Sequence, residues 1–316
     1  MTQSVITLRG PTASGKTHLT IDLSNKLPLE IISVDSVMVY RGLNIGSAKP
    51  DQKTLENYPH HLIDICDPSF NYSLGTFYED VNKAIKIILS KKKTPILVGG
   101  TMMYFNALSK GLSDLPSSDQ TIRKKIEDEA DEIGWPELHK RLSKIDPVSG
   151  EKIKANDKQR IQRALEVYEL SGKPLSSFFS DNRKKSDYEF FNISLFPDDR
   201  ETLYKRIEDR FDQMLNLGLV DEVRALLNRP ELTSSHNSMK SIGYKEICAH
   251  IEGKQTLIEA KEKSILATRR LAKRQLTWLR TLDDSQKINT FDNDLNLSLI
   301  HISEPTRLLS SRFGLL

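Results

Sequence analysis

A glycine-rich turn near the N-terminus constrains this chain more than any other stretch. Val5, Ile6 and Leu8 form a short apolar run that is typical of a buried strand, and the turn follows at once. Its spacing is that of a P-loop, G-x-x-x-x-G-K-[ST], whose backbone N–H groups surround an anion. The turn consists of Gly10, Pro11, Thr12, Ala13, Ser14, Gly15, Lys16 and Thr17. We therefore expect a polyphosphate site here. The pattern leaves open which polyphosphate binds and whether phosphate is transferred.

Two side chains of this turn have predicted roles. Lys16 brings a positive charge to the terminal phosphate, and the Thr17 hydroxyl is placed to ligate Mg²⁺. A helix that begins near Lys16 adds the positive end of its dipole.

The bulk composition limits the class of protein. Of 316 residues, 38% are hydrophobic and 28% charged, which is typical of a soluble globular protein. The net charge is only +3, so a nucleic acid would have to bind a local basic patch. Cys66 and Cys248 are far apart and outside any C-x-x-C pattern, which disfavours disulfides and zinc. With no signal-peptide pattern before the first strand and no apolar run of about 18 residues, we expect a cytosolic protein.

Further strand-like runs at 30–35, 94–101 and 190–196 alternate with helical periodicity. This alternation predicts an α/β fold with a parallel sheet flanked by helices. Asp35 and Thr101 follow two of the runs, so they should lie with the P-loop at the carboxyl edge of the sheet, where ligands gather. Asp35 is either a turn-capping residue or a base or metal-linked group. Gly99 and Gly100, before Thr101, indicate either close approach to a ligand or a tight turn.

The character of the sequence changes near Asp114. Charged helical stretches cover 119–133 and 136–145, and Asn156-Asp157 is typical of the N-cap of a further helix. We therefore predict a P-loop α/β core from 1–113 and 189–300 with an all-helical insertion at 114–188. The tail at 303–316 carries no interpretable pattern.

Several polar groups have two interpretations. Gln159, Arg160 and Arg163 form either a solvated basic face or a clamp over a ligand. The basic helix at 256–282 is either a plain surface helix or a contact for a phosphodiester backbone.

Arg210 and the histidine pair at 60–61 also have two interpretations each. Arg210 either pairs with Asp209 or Asp212 or reaches the phosphate site. For His60-His61 a metal site is disfavoured because adjacent histidines diverge, and loop structure or substrate contact is preferred.

Taken together, these segments resemble the tRNA dimethylallyltransferase (isopentenyltransferase) family. The matching residues lie in order at 10–17, 33–36, 39–42, 45–50, 59–62, 98–101, 156–166, 241–244 and 267–278. They include Ser33-Val34-Asp35-Ser36, Val98-Gly99-Gly100-Thr101 and Ser241-Ile242-Gly243-Tyr244.

The resemblance implies transfer of a dimethylallyl group from dimethylallyl diphosphate to N6 of adenosine 37, next to the anticodon of tRNA, with Mg²⁺. It implies that the P-loop holds the donor's diphosphate and that Asp35 takes a proton from N6. Thr101 would contact the target adenosine. Lys16 and Arg210 would stabilise the leaving diphosphate.

The resemblance also implies a set of tRNA contacts. They are Asp35, Ser36, Val37, Met38, Thr101, Arg123, Gln159, Arg160, Ile161, Gln162, Arg163, Lys240, Ser241, Ile242, Gly243, Tyr244, Lys245, Lys273, Arg274, Gln275, Trp278 and Arg280. Many family members have a polar residue where this chain has Met38, and the tail from Ser303 matches nothing in the family.

Two other functions compete with this one. A small-molecule kinase would use the same loop for ATP, and a nucleotide-gated RNA-binding module would carry out no chemistry. The basic helix at 256–282 favours an RNA partner over a small acceptor. Nothing in the sequence indicates an obligate oligomer, and we expect a monomer.

Overall fold

The computed structural model describes residues 3–179, 187–282 and 285–290. Its contacts divide the chain into two compact units. The first unit contains the described residues of 1–109 and 187–316, and the second those of 110–186.

The first unit is built on a six-stranded parallel sheet with the strand order β3-β2-β4-β1-β5-β6. Its strands are β1 (Gln3–Arg9), β2 (Leu29–Val34), β3 (His60–His61), β4 (Thr94–Gly99), β5 (Tyr188–Phe196) and β6 (Ser285–Asn289). The predicted parallel α/β fold is therefore confirmed. The strand that leads into the P-loop lies in the interior of the sheet, between β4 and β5.

Helices pack on both faces of this sheet and also on one another. The helices of the first unit are α1 (Lys16–Ser24), α2 (Gln52–Asn57), α3 (Leu74–Ser90), α4 (Met102–Lys110), α9 (Arg200–Asn216), α10 (Leu219–Leu227), α11 (Tyr244–Ile251) and α12 (Leu257–Arg280). Successive strand residues point to opposite faces. Ile31 packs in the cluster that contains Leu19 of α1, whereas Ile32 packs in the cluster that contains Phe77 of α3. The strands are apolar on both sides because both sides are covered.

The second unit is helical. It contains α5 (Gln120–Ile133), α6 (Trp135–Ile145), α7 (Pro147–Lys152), α8 (Lys158–Ser171) and a short 3₁₀ helix (Leu175–Phe179). The Asp157 carboxylate accepts a hydrogen bond from the Arg160 N–H, as expected of an N-cap, and α8 ends at Gly172 in the left-handed region (φ 67°).

Two strands were not expected from the sequence. The predicted loop at His60-His61 is a two-residue strand, in which His60 pairs with Ile31 and His61 with Ile32. The last strand, β6, pairs with β5 from Asn192 to Phe196. The predicted tail at 303–316 lies outside the described residues.

Across residues 3–179, 187–282 and 285–290, no helix combines the length and the apolar character that a bilayer crossing requires.

Candidate active site

A cavity of about 740 Å³ lies at the carboxyl edge of the sheet. It brings together the P-loop from Thr12 to Thr17, Asp35, Arg210 and the segment 240–243. The cavity also touches Ser36, Val37, Met38, Gly99, Gly100 and Gln275. All of these residues belong to the first unit. The arrangement agrees with the rule that open parallel sheets bind ligands beyond the carboxyl ends of their strands.

The P-loop has the conformation that an anion site needs. Gly15 adopts a left-handed conformation (φ 80°) immediately before α1 begins at Lys16, so that the helix N-terminus is directed at the turn. The Lys16 Nζ donates to the carbonyls of Gly10 (2.9 Å) and Pro11 (2.6 Å). The ammonium group is thus held across the loop by its own backbone.

Lys16 has an unusual charge environment. Burial, and then the nearby positive charge of Arg210, lower the pKa of Lys16 from 10.5 to about 7, although the Asp35 carboxylate opposes the change. A bound diphosphate would restore the ordinary preference for the charged amine, because an opposite charge raises the pKa of a lysine.

Arg210 is directed at the P-loop. Its Nη2 donates to the Thr12 hydroxyl (2.5 Å), and burial lowers the pKa of its guanidinium while Asp35 acts in the other direction. The carboxylates that the sequence offered as alternatives are engaged elsewhere, since Asp209 pairs with Lys205 and Asp212 with Lys261. Of the two interpretations, the structure therefore supports the phosphate-site one.

Asp35 caps the turn after β2 and also lies at the cavity, and its role as a base stays a prediction. One carboxylate oxygen, Oδ1, accepts from the N–H groups of Val37 (2.7 Å) and Met38 (3.1 Å), which fixes the turn after β2. The side chain nevertheless lines the cavity. The two backbone donors orient the carboxylate, and its second oxygen remains for a ligand.

Gly99 and Gly100, before Thr101, are explained by neither of the predicted causes, which were close approach to a ligand and a tight turn. A Cβ on Gly99 would lie 2.0 Å from the Val34 carbonyl oxygen, and a Cβ on Gly100 would lie 2.4 Å from the Gln275 Nε2. Gly99 needs to be glycine because the Val34 backbone approaches it closely, whereas a Cβ at Gly100 would displace the Gln275 amide. Thr101 donates its N–H to the Val34 carbonyl (3.4 Å), which places it beside Asp35 in the sheet. The cavity wall, however, contains Gly99 and Gly100 but not Thr101.

Sequence reasoning missed Glu222 on α10. Its carboxylate accepts from the backbone N–H groups of Asn44, Ile45 and Gly46 at 2.8–3.2 Å and from the Tyr244 hydroxyl at 2.6 Å. Gly46 and its neighbour Ser47 line the cavity. Glu222 thus fixes a wall of the site, but its sequence context, Val220-Asp221-Glu222, is that of an ordinary helix start.

The expected RNA contacts of the first unit differ in exposure. Six of them are half-buried, namely Asp35, Val37, Met38, Thr101, Ser241 and Ile242. The side chains of Ser36, Lys240, Lys245, Lys273, Arg274, Trp278 and Arg280 are exposed. In contrast, Tyr244 is fully buried and Gln275 is only 8% exposed. The exposed residues from Lys273 to Arg280 lie on one side of α12, and Gln275 lies on the other. A side-chain contact between RNA and Tyr244 or Gln275 does not fit this burial.

The second unit distributes its predicted contacts in a similar way. Gln159 and Arg160 are exposed, whereas Ile161 is fully buried in the helical core. Arg123 and Arg163 both bind the fully buried Glu166 carboxylate, at 2.9 and 2.7 Å. Gln162 donates to the Arg123 carbonyl (3.1 Å) and to Glu127 (2.9 Å). Ile161 therefore serves packing, and Glu166 fixes the orientation of the two arginines.

Of the two adjacent histidines, His61 has a structural role and His60 lies at the cavity. His61 binds the buried Glu30, which also pairs with Lys91 and Lys93 at 3.1 and 3.0 Å. Burial alone would raise the pKa of Glu30, but its bonds to His61, Lys93 and Lys91 lower it to about 2. His60 bonds the Tyr58 carbonyl and lines the cavity.

This fold and cavity define the class of the protein: an α/β protein with a P-loop anion site, in which a carboxylate and an arginine face the same cavity. A family model described as IPP transferase matches residues 38–282. A tRNA dimethylallyltransferase from Coxiella burnetii is 52% identical over 292 residues, which is 92% of this chain and 94% of the relative. One from Nitrosomonas eutropha is 44% identical and covers 97% of both chains. The chain belongs to the IPP transferase family of tRNA dimethylallyltransferases.

Solved structures agree with this assignment. The full-length tRNA isopentenylpyrophosphate transferase from Bacillus halodurans is 36% identical with a TM-score of 0.70, and the match covers 99% of each chain. A eukaryotic dimethylallyltransferase acting on tRNA is 30% identical with a TM-score of 0.81, over 98% of this chain and 80% of that one. The kinase alternative finds no support among these relatives.

Proposed function

We propose that the protein transfers a dimethylallyl group from dimethylallyl diphosphate to N6 of adenosine 37 of tRNA, giving N6-(dimethylallyl)adenosine. The observation that carries this proposal is the shared cavity, in which Lys16 and Arg210 of the anion site face the same space as Asp35. Family membership supplies the class of reaction. The donor and the position on the tRNA are inferred from the family resemblance, whereas the monomeric state and the cytoplasmic location are predictions from the sequence alone.

The reaction forms one bond and breaks one. The adenine N6 attacks C1 of the dimethylallyl group, and the C1–O bond breaks as the diphosphate leaves with the electron pair. N6 is a weak nucleophile because its lone pair is delocalised into the ring. Asp35 accepts the N6 proton, and its carboxylate is held in place for this by the N–H groups of Val37 and Met38.

The leaving diphosphate gains negative charge as the C1–O bond breaks. The P-loop N–H groups, the Lys16 ammonium and the Arg210 guanidinium stabilise that charge in a partly enclosed site. Because Arg210 is already bonded to Thr12, little reorganisation is needed when the charge develops.

The residues present fit a Mg²⁺ ion that is bound jointly with the donor. Among the described residues, no group of three or more His, Cys, Asp or Glu side chains could hold a metal. The exposed Thr17 lines the cavity at the start of α1, and Mg²⁺ commonly takes one or two protein oxygens together with substrate phosphates. When bound, Mg²⁺ would neutralise part of the diphosphate charge.

An Asp35→Asn variant tests the proposal. Asn keeps an oxygen for the Val37 and Met38 N–H groups but cannot take the proton, so we expect prenyl transfer to fall by about 10²- to 10⁴-fold with near-normal tRNA binding. The assay combines labelled dimethylallyl diphosphate, undermodified tRNA and mass spectrometry of the nucleosides. Unchanged turnover would remove Asp35 as the base. Absence of N6-(dimethylallyl)adenosine with the unmodified protein would refute the reaction itself and leave an RNA-binding module.

A further inference from the structure

Gln275 joins three separate parts of the site. It projects from the buried side of α12, opposite the exposed Arg274 and Trp278. Its Oε1 accepts from the Thr12 N–H of the P-loop (2.9 Å), and its Nε2 donates to the Gly100 carbonyl (2.9 Å) at the end of β4. One side chain thus connects the anion loop, the strand end beside Thr101 and the long basic helix.

Both ends of the amide are needed for this connection. A neutral primary amide accepts from an N–H and donates to a carbonyl at the same time, whereas a carboxylate only accepts and an ammonium only donates. Thr12 is held from two directions, because its hydroxyl binds Arg210 while its N–H binds Gln275. The conformation of the loop at Thr12 is therefore set by two side chains from α9 and α12.

Gly100, just after the end of β4, lies directly against the Gln275 side-chain amide. A Cβ at Gly100 would approach the Gln275 Nε2 to 2.4 Å, a separation that real Cβ atoms do not show. Gly100 does not have a positive φ, so its backbone conformation does not by itself require glycine. The space occupied by Gln275 accounts for the glycine at this position.

We infer that Gln275 is a positioning residue for the anion site, which holds the P-loop at Thr12 in its binding conformation and fixes it to the end of β4. It makes no RNA contact of its own. This inference rests on the proposed function, because it takes the P-loop as the place where the donor's diphosphate binds.

The first experiment compares two ligands. We expect a Gln275→Leu variant, which keeps most of the volume but lacks both hydrogen bonds, to bind inorganic pyrophosphate about tenfold more weakly by calorimetry. Its tRNA affinity should stay within about twofold of the unmodified protein, because the exposed side of α12 is untouched. Thr277→Ala is the matched control on the same helix, since the exposed Thr277 hydroxyl bonds only the Lys273 carbonyl. It should leave both affinities unchanged.

A mutant cycle with Gly100 gives a second readout. In the unmodified background Gly100→Ala forces its methyl group against the Gln275 amide and should weaken pyrophosphate binding by about tenfold. In a Gln275→Ala background the contact with the amide is gone and the Gly10 carbonyl oxygen, 3.2 Å from the new Cβ, is the close neighbour that remains, so the same substitution should cost less than about threefold. A general loss of stability would give equal effects in both backgrounds and would overturn the inference.

Three other results would also overturn it. Unchanged pyrophosphate binding in Gln275→Leu would show that the loop needs no support from this side. Tighter pyrophosphate binding would mean that Gln275 occupies the Thr12 N–H, which the anion itself would bind. Weaker tRNA binding with normal pyrophosphate binding would make Gln275 an RNA contact. Failure of the proposed function would give a different result from failure of this inference. The unmodified protein would then bind pyrophosphate but would not transfer the prenyl group.

Discussion

The depressed pKa of Lys16 makes donor binding depend on pH. In the ligand-free site the pKa is about 7 because burial and Arg210 disfavour the charged amine. Relative to the ordinary value of 10.5, this amounts to roughly 5 kcal/mol that favours the neutral amine. A diphosphate reverses that preference, so donor binding is coupled to proton uptake by Lys16 above pH 7.

The charge state of Lys16 sets the sign and size of this pH dependence. Below pH 7 Lys16 is already charged in the free protein and does not change the donor affinity. Well above pH 7 each further pH unit should weaken binding about tenfold, which gives about 50-fold between pH 7 and pH 9 because half of the amine is already neutral at pH 7. The donor does not produce this trend, because the last pKa of a terminal phosphate is near 6 and its charge is then complete.

The assay is calorimetric titration with dimethylallyl diphosphate from pH 7 to pH 9, where the donor is fully charged, at constant free Mg²⁺. Lys16→Arg is the matched control, because a guanidinium stays charged over this range and its profile should be flat. A dissociation constant that changes by less than about twofold in the unmodified protein would refute the reasoning. So would the same slope in Lys16→Arg, since it would assign the titration to another group.

Three further predictions concern residues around the site. Glu222→Gln should lower kcat/KM for prenyl transfer, because the cavity wall at 44–46 loses a charged acceptor for three backbone N–H groups. Equal stability in urea controls for folding. Glu30→Gln should unfold more easily at pH 7 by up to roughly 3 kcal/mol. That stabilisation is present above the ordinary pKa of 4.5 and is lost as the pH falls toward about 2, so urea curves for variant and unmodified protein should converge at low pH. Lys273→Ala should weaken tRNA binding and lower its salt slope by about one, and an unchanged slope would exclude a phosphate contact.

Much of the fold follows from local signals in the sequence. The apolar runs before Gly10 and Asp35 predict β1 and β2 because a strand buried on both faces has little polar alternation. Asn156-Asp157 predicts the start of α8, and Asp198 or Asp199 that of α9, because short polar side chains cap free N–H groups; the caps are Asp157 and Asp199. These features depend only on neighbours in sequence.

The parts that sequence could not predict depend on distant partners. β3 contains two residues, and β6 has Ile288 as its only buried side chain, so neither has an apolar pattern. Helical spacing from Leu271 and Leu279 places Gln275 on the apolar side of α12, but nothing local indicates that its amide bonds Thr12 and Gly100. Glu222 resembles any acid in a first helical turn until the loop at 44–46 folds against it.

The strand order has a consequence for biosynthesis. β1 is the first strand to be translated, yet its two neighbours begin only at Thr94 and Tyr188. A growing chain therefore carries an apolar strand with two unpaired edges until β4 is made and with one unpaired edge until β5 is made, and such edges invite wrong pairing. The anion loop, although encoded among the first 17 residues, gains its native surroundings only after β5 has joined the sheet and Arg210 and Gln275 have bonded Thr12. Nascent chains released before β5 has joined the sheet should be prone to aggregation, sensitive to proteases and unable to bind the diphosphate.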